Sequence, residues 1–288
     1  GERDSAFFRL RSKANLARLL FSSEKRLSEI AREDGLYKDF QKSKKNGKGT
    51  RTVSAPRADL KAVQSRISNL LMRITPPDWL FSPVKGRSYV DNARPHANAA
   101  SVRLLDIEDF FPSCTGNKVI WFFKERMECS PDIAAILKGI VTKDDVLPQG
   151  SPCSPILAYL CYIDMWEDIE CLVNREGCAL SVYADDLTIS GEKVPEKMIW
   201  EIKKILKKHG HRYHAGKERK KWHKPVEVTG VIVRGDGLLL VPNRQHQAIA
   251  GIRKKLRNRC RVEERATLQA QLLGRESQMK QITNLNAV

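Results

Sequence analysis

The feature that most constrains this chain is an apolar stretch, Val182 to Ile189, that carries two adjacent aspartates, Asp185 and Asp186, at its centre. The β-branched and aromatic residues on either side are typical of short strands. They predict a hairpin over residues 179–190 with the aspartates at its tip. Two neighbouring carboxylates repel each other in such a turn unless a cation lies between them. Because aspartate is also common in ordinary turns, the hairpin alone does not define a site.

A third aspartate extends the pattern about 80 residues earlier in the chain. Asp106 ends the apolar run Val102–Leu105, which predicts a buried strand. If this strand lies beside the hairpin, the three carboxylates can hold two hard divalent cations through oxygen ligands. Two such ions are a common apparatus for in-line phosphoryl transfer. Asp106, Asp185 and Asp186 are therefore the predicted catalytic and metal-binding residues.

The charge distribution indicates the kind of partner that the chain binds. The 288 residues carry a net charge of +17, and this charge is unevenly spread. Residues 1–100 hold 21 Lys and Arg against 10 Asp and Glu, and residues 201–288 hold 21 against 7. Residues 101–200 are acidic, with 9 against 17. Basic flanks of this kind are typical of proteins that bind a polyanion such as nucleic acid.

Several other classes are excluded by composition. The longest apolar run, near Ile156–Trp166, contains Asp164 and is too short to cross a bilayer, so no membrane partner is expected. Seven cysteines without a Cys-x-x-Cys pair predict a reducing, cytoplasmic setting. Four histidines follow no zinc spacing and are expected on a solvated or RNA-facing surface: His209, His211, His214 and His223.

Hydrophobic periodicity predicts an α+β chain. Helices are expected over residues 5–32, after Pro56, over 117–127, 131–141, 155–171 and 196–209, and through about the last 45 residues. Strands are expected over 36–40, 51–54, 101–107, 226–233 and 238–241, in addition to the hairpin. The Pro-rich segment before residue 155 has two interpretations. It is either a rigid loop whose backbone approaches a nucleotide, or a helix start with Ser154 as N-cap and Pro155 at the first position.

Three motifs in this order resemble those of reverse transcriptases. Leu105–Ser113 resembles the first catalytic motif of the family, Leu147–Pro155 its nucleotide-facing motif, and Tyr183–Asp186 its metal-binding hairpin. The resemblance covers about residues 36–241 and implies a right-hand polymerase fold. It implies domains in the order 1–100 for the N-terminal helices and fingers, 101–240 for a palm with an inserted finger segment, and 241–288 for a helical thumb.

Two short elements resemble the bacterial retron subgroup of this family. Asn92-Ala93-Arg-Pro-His96 resembles its Asn-Ala-x-x-His element, and Val228-Thr229-Gly230 resembles its Val-Thr-Gly element. Alone, either would be an ordinary polar loop or a strand-end glycine. Together they favour a retron-type enzyme, and the resemblance makes both candidates for recognition of its RNA.

The resemblance also implies roles for individual residues. Asp106 and Asp185, with Asp186 beside them and the carbonyl of Ile107, would hold two Mg²⁺ ions, with Mn²⁺ as a substitute. Contacts to the incoming dNTP are implied for Lys44, Arg51, Phe110, Phe111, Gln149, Gly150 and Lys217. Of these, Phe111 occupies the sugar-facing position, and the sequence around Lys217 departs from the family pattern. Phosphate-backbone contacts are expected for Arg253, Lys254, Lys255, Arg257 and Arg259.

The implied activity is RNA-directed DNA synthesis on a structured non-coding RNA that serves as primer source and template. The product would be a branched RNA–DNA molecule (msDNA), with a role in antiphage defence beside a separately encoded effector protein. Alternatives are another defence-associated or group II intron-like reverse transcriptase, an RNA-templated RNA polymerase, and a non-catalytic RNA-binding scaffold. Tyr183 and Phe111 argue against the RNA polymerase, and three retained aspartates argue against the scaffold.

Overall fold

The computed structural model describes residues 1–43, 49–258 and 262–284. The predicted nucleotide contact Lys44 and the predicted phosphate contact Arg259 lie outside these residues. Helices and strands both contribute, as the sequence predicted.

The N-terminal segment differs from the continuous helix expected over residues 5–32. It forms two short helices, α1 (Lys13–Leu19) and α2 (Glu24–Ile30). Ser12 and Ser23 accept hydrogen bonds from the first-turn amides of these helices, which is how serine starts a helix. Between them Phe21 has a left-handed backbone with φ of 55°, so the helix cannot continue.

An antiparallel hairpin and a longer helix follow. Strands β1 (Tyr37–Ser43) and β2 (Thr50–Pro56) pair along their whole length, close to the two extended segments that were predicted. Helix α3 (Ala58–Leu71) buries an apolar face against the core, as the spacing of its leucines predicted.

The central sheet carries the aspartate hairpin. Its strands are β3 (Leu80–Ser82), β4 (Ser101–Glu108), β5 (Ala179–Tyr183), β6 (Asp186–Gly191), β7 (Arg212–Tyr213) and β8 (Arg219–Trp222). The order is β3-β5-β6-β4-β7, and β8 also pairs with β4. Only β3 and β5 are parallel among these pairs. Strands β4 and β6 are therefore neighbours, although about 80 residues separate them in the chain.

Helices cover this sheet. They are α4 (Tyr89–Ala93), α5 (Phe110–Ser113), α6 (Gly116–Trp121), α7 (Pro131–Val141), α8 (Ser154–Leu160), α9 (Ile163–Arg175) and α10 (Glu196–Lys208). Helix α6 continues into a π-helical turn over Phe122–Arg126. The helix predicted over 155–171 is two helices, because Tyr162 leaves the helical conformation and its hydroxyl donates to the carbonyl of Ser113. Helix α8 starts one residue earlier than predicted, so Cys153 is its N-cap.

The C-terminal part contains a small sheet and two helices. Strands β9 (Val226–Val228), β10 (Val231–Val233) and β11 (Leu239–Leu240) form an antiparallel sheet, followed by α11 (Asn243–Arg257) and α12 (Val262–Asn284). The single strand expected over 226–233 is a hairpin instead. Thr229 and Gly230 both have positive φ, at 46° and 96°, which is the backbone that a tight two-residue turn requires.

Two hydrophobic cores lie on either side of the central sheet. Leu187 and Ile189 on β6 pack into the main core with α3 and the helices α7 to α10. The second core joins Val102 on β4 to the small sheet and includes Ile282 of α12. Because side chains alternate along a strand, Asp186 and Ser190 face the side of the second core. None of the helices in the described ranges combines the length and the apolarity that spanning a bilayer requires.

Candidate active site

Strand pairing brings the predicted aspartates together. Asp106 and Asp186 are direct partners across β4 and β6, so their side chains leave the same face of the sheet. Asp185 lies in the two-residue turn before β6, and its carbonyl accepts a hydrogen bond from the amide of Ile107 at 2.9 Å. Ala184 takes a left-handed backbone there, with φ of 57°, which is uncommon for a residue with a side chain. The turn is therefore held to the end of β4 by its main chain.

The electrostatics of this cluster are unfavourable for full ionisation. Burial raises the pKa of Asp186 to about 7, and the charges of Asp185 and Asp106 add to the increase. Burial likewise raises the pKa of Asp185, with a further contribution from Asp106. Lys217 and Arg51 oppose the shift at Asp185. The site therefore lacks the positive charge that would allow all three carboxylates to be ionised.

Lys217 supplies part of this positive charge. Its Nζ donates to both oxygens of Asp106, at 2.8 and 2.7 Å. Burial lowers the pKa of Lys217, but the hydrogen bond and charge of Asp106, together with Asp185 and Asp186, outweigh this effect and raise it. The backbone amide of His214, three residues before Lys217, also donates to the carbonyl of Asp106, at 2.8 Å. Lys217 is therefore part of the carboxylate cluster, despite the unusual sequence around it.

The donor set fits hard divalent cations, which prefer carboxylate oxygens. The raised pKa of Asp186 is the observation that supports this fit, because a bound cation would offset the burial and the carboxylate repulsion that cause it. Within the described residues, no three His, Cys, Asp or Glu side chains are already placed as ligands of one ion. Instead the Lys217 ammonium occupies the oxygens of Asp106, and a cation binding at Asp106 would have to displace it.

The predicted nucleotide loop packs against the β1–β2 hairpin. The carbonyl of Gln149 accepts a hydrogen bond from the amide of Ser54 at 2.7 Å. Gly150 has φ of 123°, and a Cβ at this position would lie 2.8 Å from the carbonyl oxygen of Ser54. Gly150 therefore permits a close approach to strand β2, whereas the sequence suggested a close approach to a nucleotide. Strand β2 also carries Arg51, which lies near enough to Asp185 to lower its pKa.

The structure separates the two adjacent phenylalanines. Phe110 is buried, and its ring packs against His211 and Trp166, with centroids 5.4 and 6.3 Å apart. This corrects the assignment of Phe110 as a nucleotide contact, because its side chain lies in the core. Phe111 is only partly buried and remains the candidate for the sugar-facing position.

The two subgroup motifs are largely internal. Asn92, Ala93, His96 and Val228 are all fully buried. The two serines that hydrogen bond to His96, Ser181 and Ser190, belong to the aspartate hairpin. These four side chains contact protein, which corrects the expectation that the motifs present them to RNA. Thr229 and Gly230 form the turn of the second motif at the edge of the small sheet.

The basic residues of α11 differ in availability. Lys254, Lys255 and Arg257 are exposed, as a contact to a phosphate backbone requires. Arg253 is exposed as well, but it pairs with Glu276 of α12 at 2.7 Å. A phosphate contact by Arg253 would have to replace that ion pair.

The histidines do not form a common surface. His211 is buried, its Nδ1 lies 2.7 Å from the Ser113 hydroxyl, and burial lowers its pKa to about 4. The side chain of His209 is 8% exposed and lies 3.8 Å from Asp164. The expectation of a solvated or RNA-facing surface is therefore wrong for these two residues. His223 agrees with the expectation, because it is exposed beside Trp222.

A buried ion-pair network that was not predicted from the sequence supports Lys217. Arg103, 5% exposed, bonds Glu196 at 2.9 Å and Glu218 at 2.8 Å. Glu218 directly follows Lys217 and also accepts from Lys203 at 2.7 Å. This network fixes the segment that brings Lys217 to Asp106. An arginine within an otherwise apolar strand was the available signal, since a buried charge needs partners.

Comparison with known proteins agrees with this arrangement. The family of reverse transcriptases (RNA-dependent DNA polymerases) has a sequence model that matches residues 43–233. The chain is 32% identical over 181 residues to the retron Se72 reverse transcriptase of Salmonella heidelberg (strain 579083-10), covering 62% of this chain and 48% of that protein. It is 34% identical over 163 residues to the retron Ec86 reverse transcriptase of Escherichia coli, covering 56% and 51%.

A third relative is the retron Mx162 reverse transcriptase of Myxococcus xanthus, 27% identical over 218 residues, which covers 65% of this chain and 45% of that protein. The chain thus spans about half the length of the curated relatives it matches. The family match covers more than half of this chain, includes all three catalytic motifs and implies the right-hand polymerase fold. The chain belongs to the reverse transcriptase (RNA-dependent DNA polymerase) family and, within it, is similar to the retron reverse transcriptases.

Proposed function

We propose that this chain is an RNA-directed DNA polymerase that extends a primer over the carboxylate cluster. The observation that carries the proposal is the direct pairing of Asp106 with Asp186, with Asp185 in the adjoining turn. Clustered carboxylates suit a reaction in which charge on transferring phosphate must be neutralised through bound cations. Membership of the family supports the same reaction. The basic first and last thirds of the chain suit a nucleic-acid template and product.

The proposed metal ligands are Asp106, Asp185 and Asp186, with the Ile107 carbonyl as an additional donor. Two Mg²⁺ ions bound by these groups would activate the primer hydroxyl and stabilise the leaving oxygen of the α-phosphate. The chain itself contributes position and charge. Strand pairing sets the carboxylates against each other before any substrate binds, which reduces the reorganisation that the reaction needs.

The proposed triphosphate contacts lie on two sides of the carboxylates. Arg51 projects from β2 near Asp185, and a guanidinium can hold phosphate oxygens in pairs. Lys217 brings a second positive charge to the cluster through Asp106, and the family resemblance places a lysine at about this position near the pyrophosphate leaving group. Lys44, which lies outside the described residues, is proposed to contact the triphosphate as well. Gln149 and Gly150 are proposed to contact the incoming nucleotide from the loop that packs against β2.

Replacing Phe111 with alanine is expected to reduce discrimination against ribonucleotides by about 100-fold, because a bulky ring excludes the 2′-hydroxyl by steric clash. The measurement is the ratio of kcat/KM for dNTP and rNTP addition to one primer–template. Phe110→Leu is a control for loss of a ring in the core, and it is expected to lower stability without changing the ratio. An unchanged ratio in Phe111→Ala would remove Phe111 from the sugar site.

Within the retron type, we propose that one structured non-coding RNA supplies both template and primer. The product would be the branched RNA–DNA molecule msDNA, formed in the bacterial cytoplasm and acting in antiphage defence with a separate effector protein. The similarity to three retron reverse transcriptases supports this finer proposal. Residues 1–100, 101–240 and 241–288 are proposed as the fingers with N-terminal helices, the palm and the thumb. RNA contacts are proposed for Lys254, Lys255 and Arg257, with Arg253 and Arg259 beside them.

The experiment is to purify the chain after expression with its neighbouring genomic RNA, and to analyse the bound nucleic acid with RNase and DNase. A retron-type enzyme yields DNA that keeps a covalently attached ribonucleotide branch after RNase treatment. The Asp185→Asn variant should carry the RNA without the DNA. Linear DNA without a branch would favour another type of reverse transcriptase, and RNA alone on the unaltered chain would favour a scaffold.

A further inference from the structure

The two subgroup motifs contact each other inside the protein. Asn92 Nδ2 on α4 donates to Thr229 Oγ1 in the β9–β10 turn at 3.2 Å, across 137 residues of sequence. Thr229 Oγ1 donates in turn to the carbonyl of Tyr89 at 2.9 Å. The hydroxyl thus accepts one hydrogen bond and donates another, which uses its single proton and one lone pair. The first turn of α4 and the small sheet are joined at this one atom.

The backbone of Thr229 supports a specific role for this hydroxyl. A φ of 46° is unfavourable for a β-branched residue, which is rarely found in the left-handed region. Such conformations persist only where the surrounding structure stabilises them. Gly230 follows with φ of 96°, so the unfavourable residue stands beside one that tolerates the turn easily. The contacts of the Thr229 hydroxyl are the compensation that the structure offers.

Four residues after Asn92, the motif reaches the aspartate hairpin. His96 Nε2 lies 2.7 Å from the Ser181 hydroxyl on β5, and its Nδ1 lies 2.7 Å from the Ser190 hydroxyl on β6. The imidazole therefore bridges both strands of the hairpin. Burial lowers the pKa of His96 to about 3, so the ring is neutral and donates through one nitrogen only. It is a rigid bridge between two hydroxyls rather than a charged group.

This bridge is close to the carboxylates and on the same face of the sheet. Ser181 pairs with Thr188, which is two residues along β6 from Asp186. At the rise of a β-strand, two residues are about 7 Å. The side chains at alternate positions of β6 share one face, so Asp186, Thr188 and Ser190 lie in a row. A shift of His96 would therefore act on the strand that carries Asp186.

The other end of the path reaches the C-terminal helices. Helix α4 packs against β5 of the hairpin and against β10 of the small sheet. The Tyr89 hydroxyl donates to the carbonyl of Gln278 on α12 at 3.4 Å. Arg244 of α11 pairs with Glu227 on β9, next to the turn. A continuous path of contacts thus leads from both C-terminal helices through Thr229, Asn92 and α4 to the hairpin.

We propose that Thr229, Asn92 and His96 form a positioning relay that holds the aspartate hairpin in its catalytic orientation relative to the C-terminal helices. The relay makes the placement of Asp185 and Asp186 depend on how the β9–β10 turn is seated against α4. Its consequence for catalysis rests on the proposed polymerase function, but its consequence for the hairpin does not. These three are positioning residues, since none of them contacts the carboxylates.

The first test is amide hydrogen exchange in Thr229→Val, which keeps the β-branch and removes the hydroxyl. Exchange should become faster in residues 179–191 of the hairpin and stay unchanged in α7. The matched control is Thr142→Val at the C-terminal end of α7, which removes a hydroxyl that donates to the carbonyl of Lys138 in that helix. Thr229→Ser should restore slow exchange. If Thr229→Val does not fold, Thr229→Ala removes the same hydroxyl with less crowding in the turn. Unchanged exchange in the hairpin would overturn the relay.

The second test is kinetic and uses an RNA template with an annealed DNA primer. Thr229→Val should lower kcat by about tenfold, because small displacements of catalytic groups are costly, with less than about a twofold change in the Kd for the duplex. Asn92→Ala should also lower kcat, and the double variant should lose no more than Thr229→Val alone, because the bond that Asn92→Ala removes is already absent in Thr229→Val. Additive losses, or an unaltered kcat with faster exchange, would contradict the catalytic part. An inactive unaltered chain would instead contradict the proposed function, and the exchange results would still decide the relay.

Discussion

Replacing Asp185 with asparagine should lower RNA-templated DNA synthesis by about 1000-fold or more, because it removes a charge from preorganised electrostatic machinery. Asparagine keeps the shape of the side chain, and the turn is held by its backbone bond to Ile107. Asparagine is uncharged, so it also avoids the burial cost and the repulsion by Asp106 that raise the pKa of Asp185. The fold should therefore remain intact, and the melting temperature should not fall.

The measurement is primer extension on an RNA template at saturating Mg²⁺, with the melting temperature recorded for each variant. Asp168→Asn is the matched control, since it makes the same chemical change at an exposed position of α9. It should retain the activity of the unaltered chain. Full extension by Asp185→Asn would show that this carboxylate does not take part in the reaction.

Replacing Asp186 with asparagine should raise the stability of the metal-free chain at neutral pH. The pKa of Asp186 in the folded chain is raised from 3.8 to about 7, mainly by burial and then by Asp185 and Asp106. The folded state therefore binds this proton more tightly than the unfolded chain does. The contribution of Asp186 to stability is fully present below about pH 4 and is lost as the pH rises through about 7. A pKa raised from 3.8 to about 7 corresponds to at most about 4 kcal/mol.

The expected result is a metal-free chain whose melting temperature falls between about pH 4 and pH 7 by more than that of Asp186→Asn. The two proteins should converge at the acidic end, where Asp186 is protonated and resembles asparagine. Adding Mg²⁺ near pH 8 should restore stability to the unaltered chain more than to the variant, because cation binding favours the charged form. Parallel pH profiles, with no extra effect of Mg²⁺ on the unaltered chain, would contradict a cation site whose buried carboxylates lower stability when no ion is bound.

The carboxylate site was predictable because its signals are local. Asp106 directly follows the apolar run Val102–Leu105, and Asp185 and Asp186 lie at a hairpin tip, so both signals could be recognised before their strands were known to pair. The contact of Lys217 with Asp106 was harder to anticipate, since it depends on β7 and β8 returning to β4. Long-range pairing of this kind leaves no periodic pattern in the sequence.

The remaining differences have similar causes. Capping by Ser12 and Ser23 divides the N-terminal helix, although the apolar spacing continues across the break. Phe110 and Phe111 are adjacent and alike in type, and only packing against Trp166 and His211 assigns the first to the core. Polar residues in a short motif suggested an RNA-facing surface. The structure buries Asn92 because a distant threonine supplies its hydrogen-bond partner.

The most direct test of the account is extension of a DNA primer annealed to a defined RNA template by the unaltered chain in Mg²⁺. We predict incorporation of the complementary dNTP only, loss of incorporation when Mg²⁺ is removed, and no comparable extension by Asp185→Asn. Tight binding of the same duplex without any incorporation, at saturating Mg²⁺ and dNTP, would contradict the assignment of Asp106, Asp185 and Asp186 as a polymerase active site.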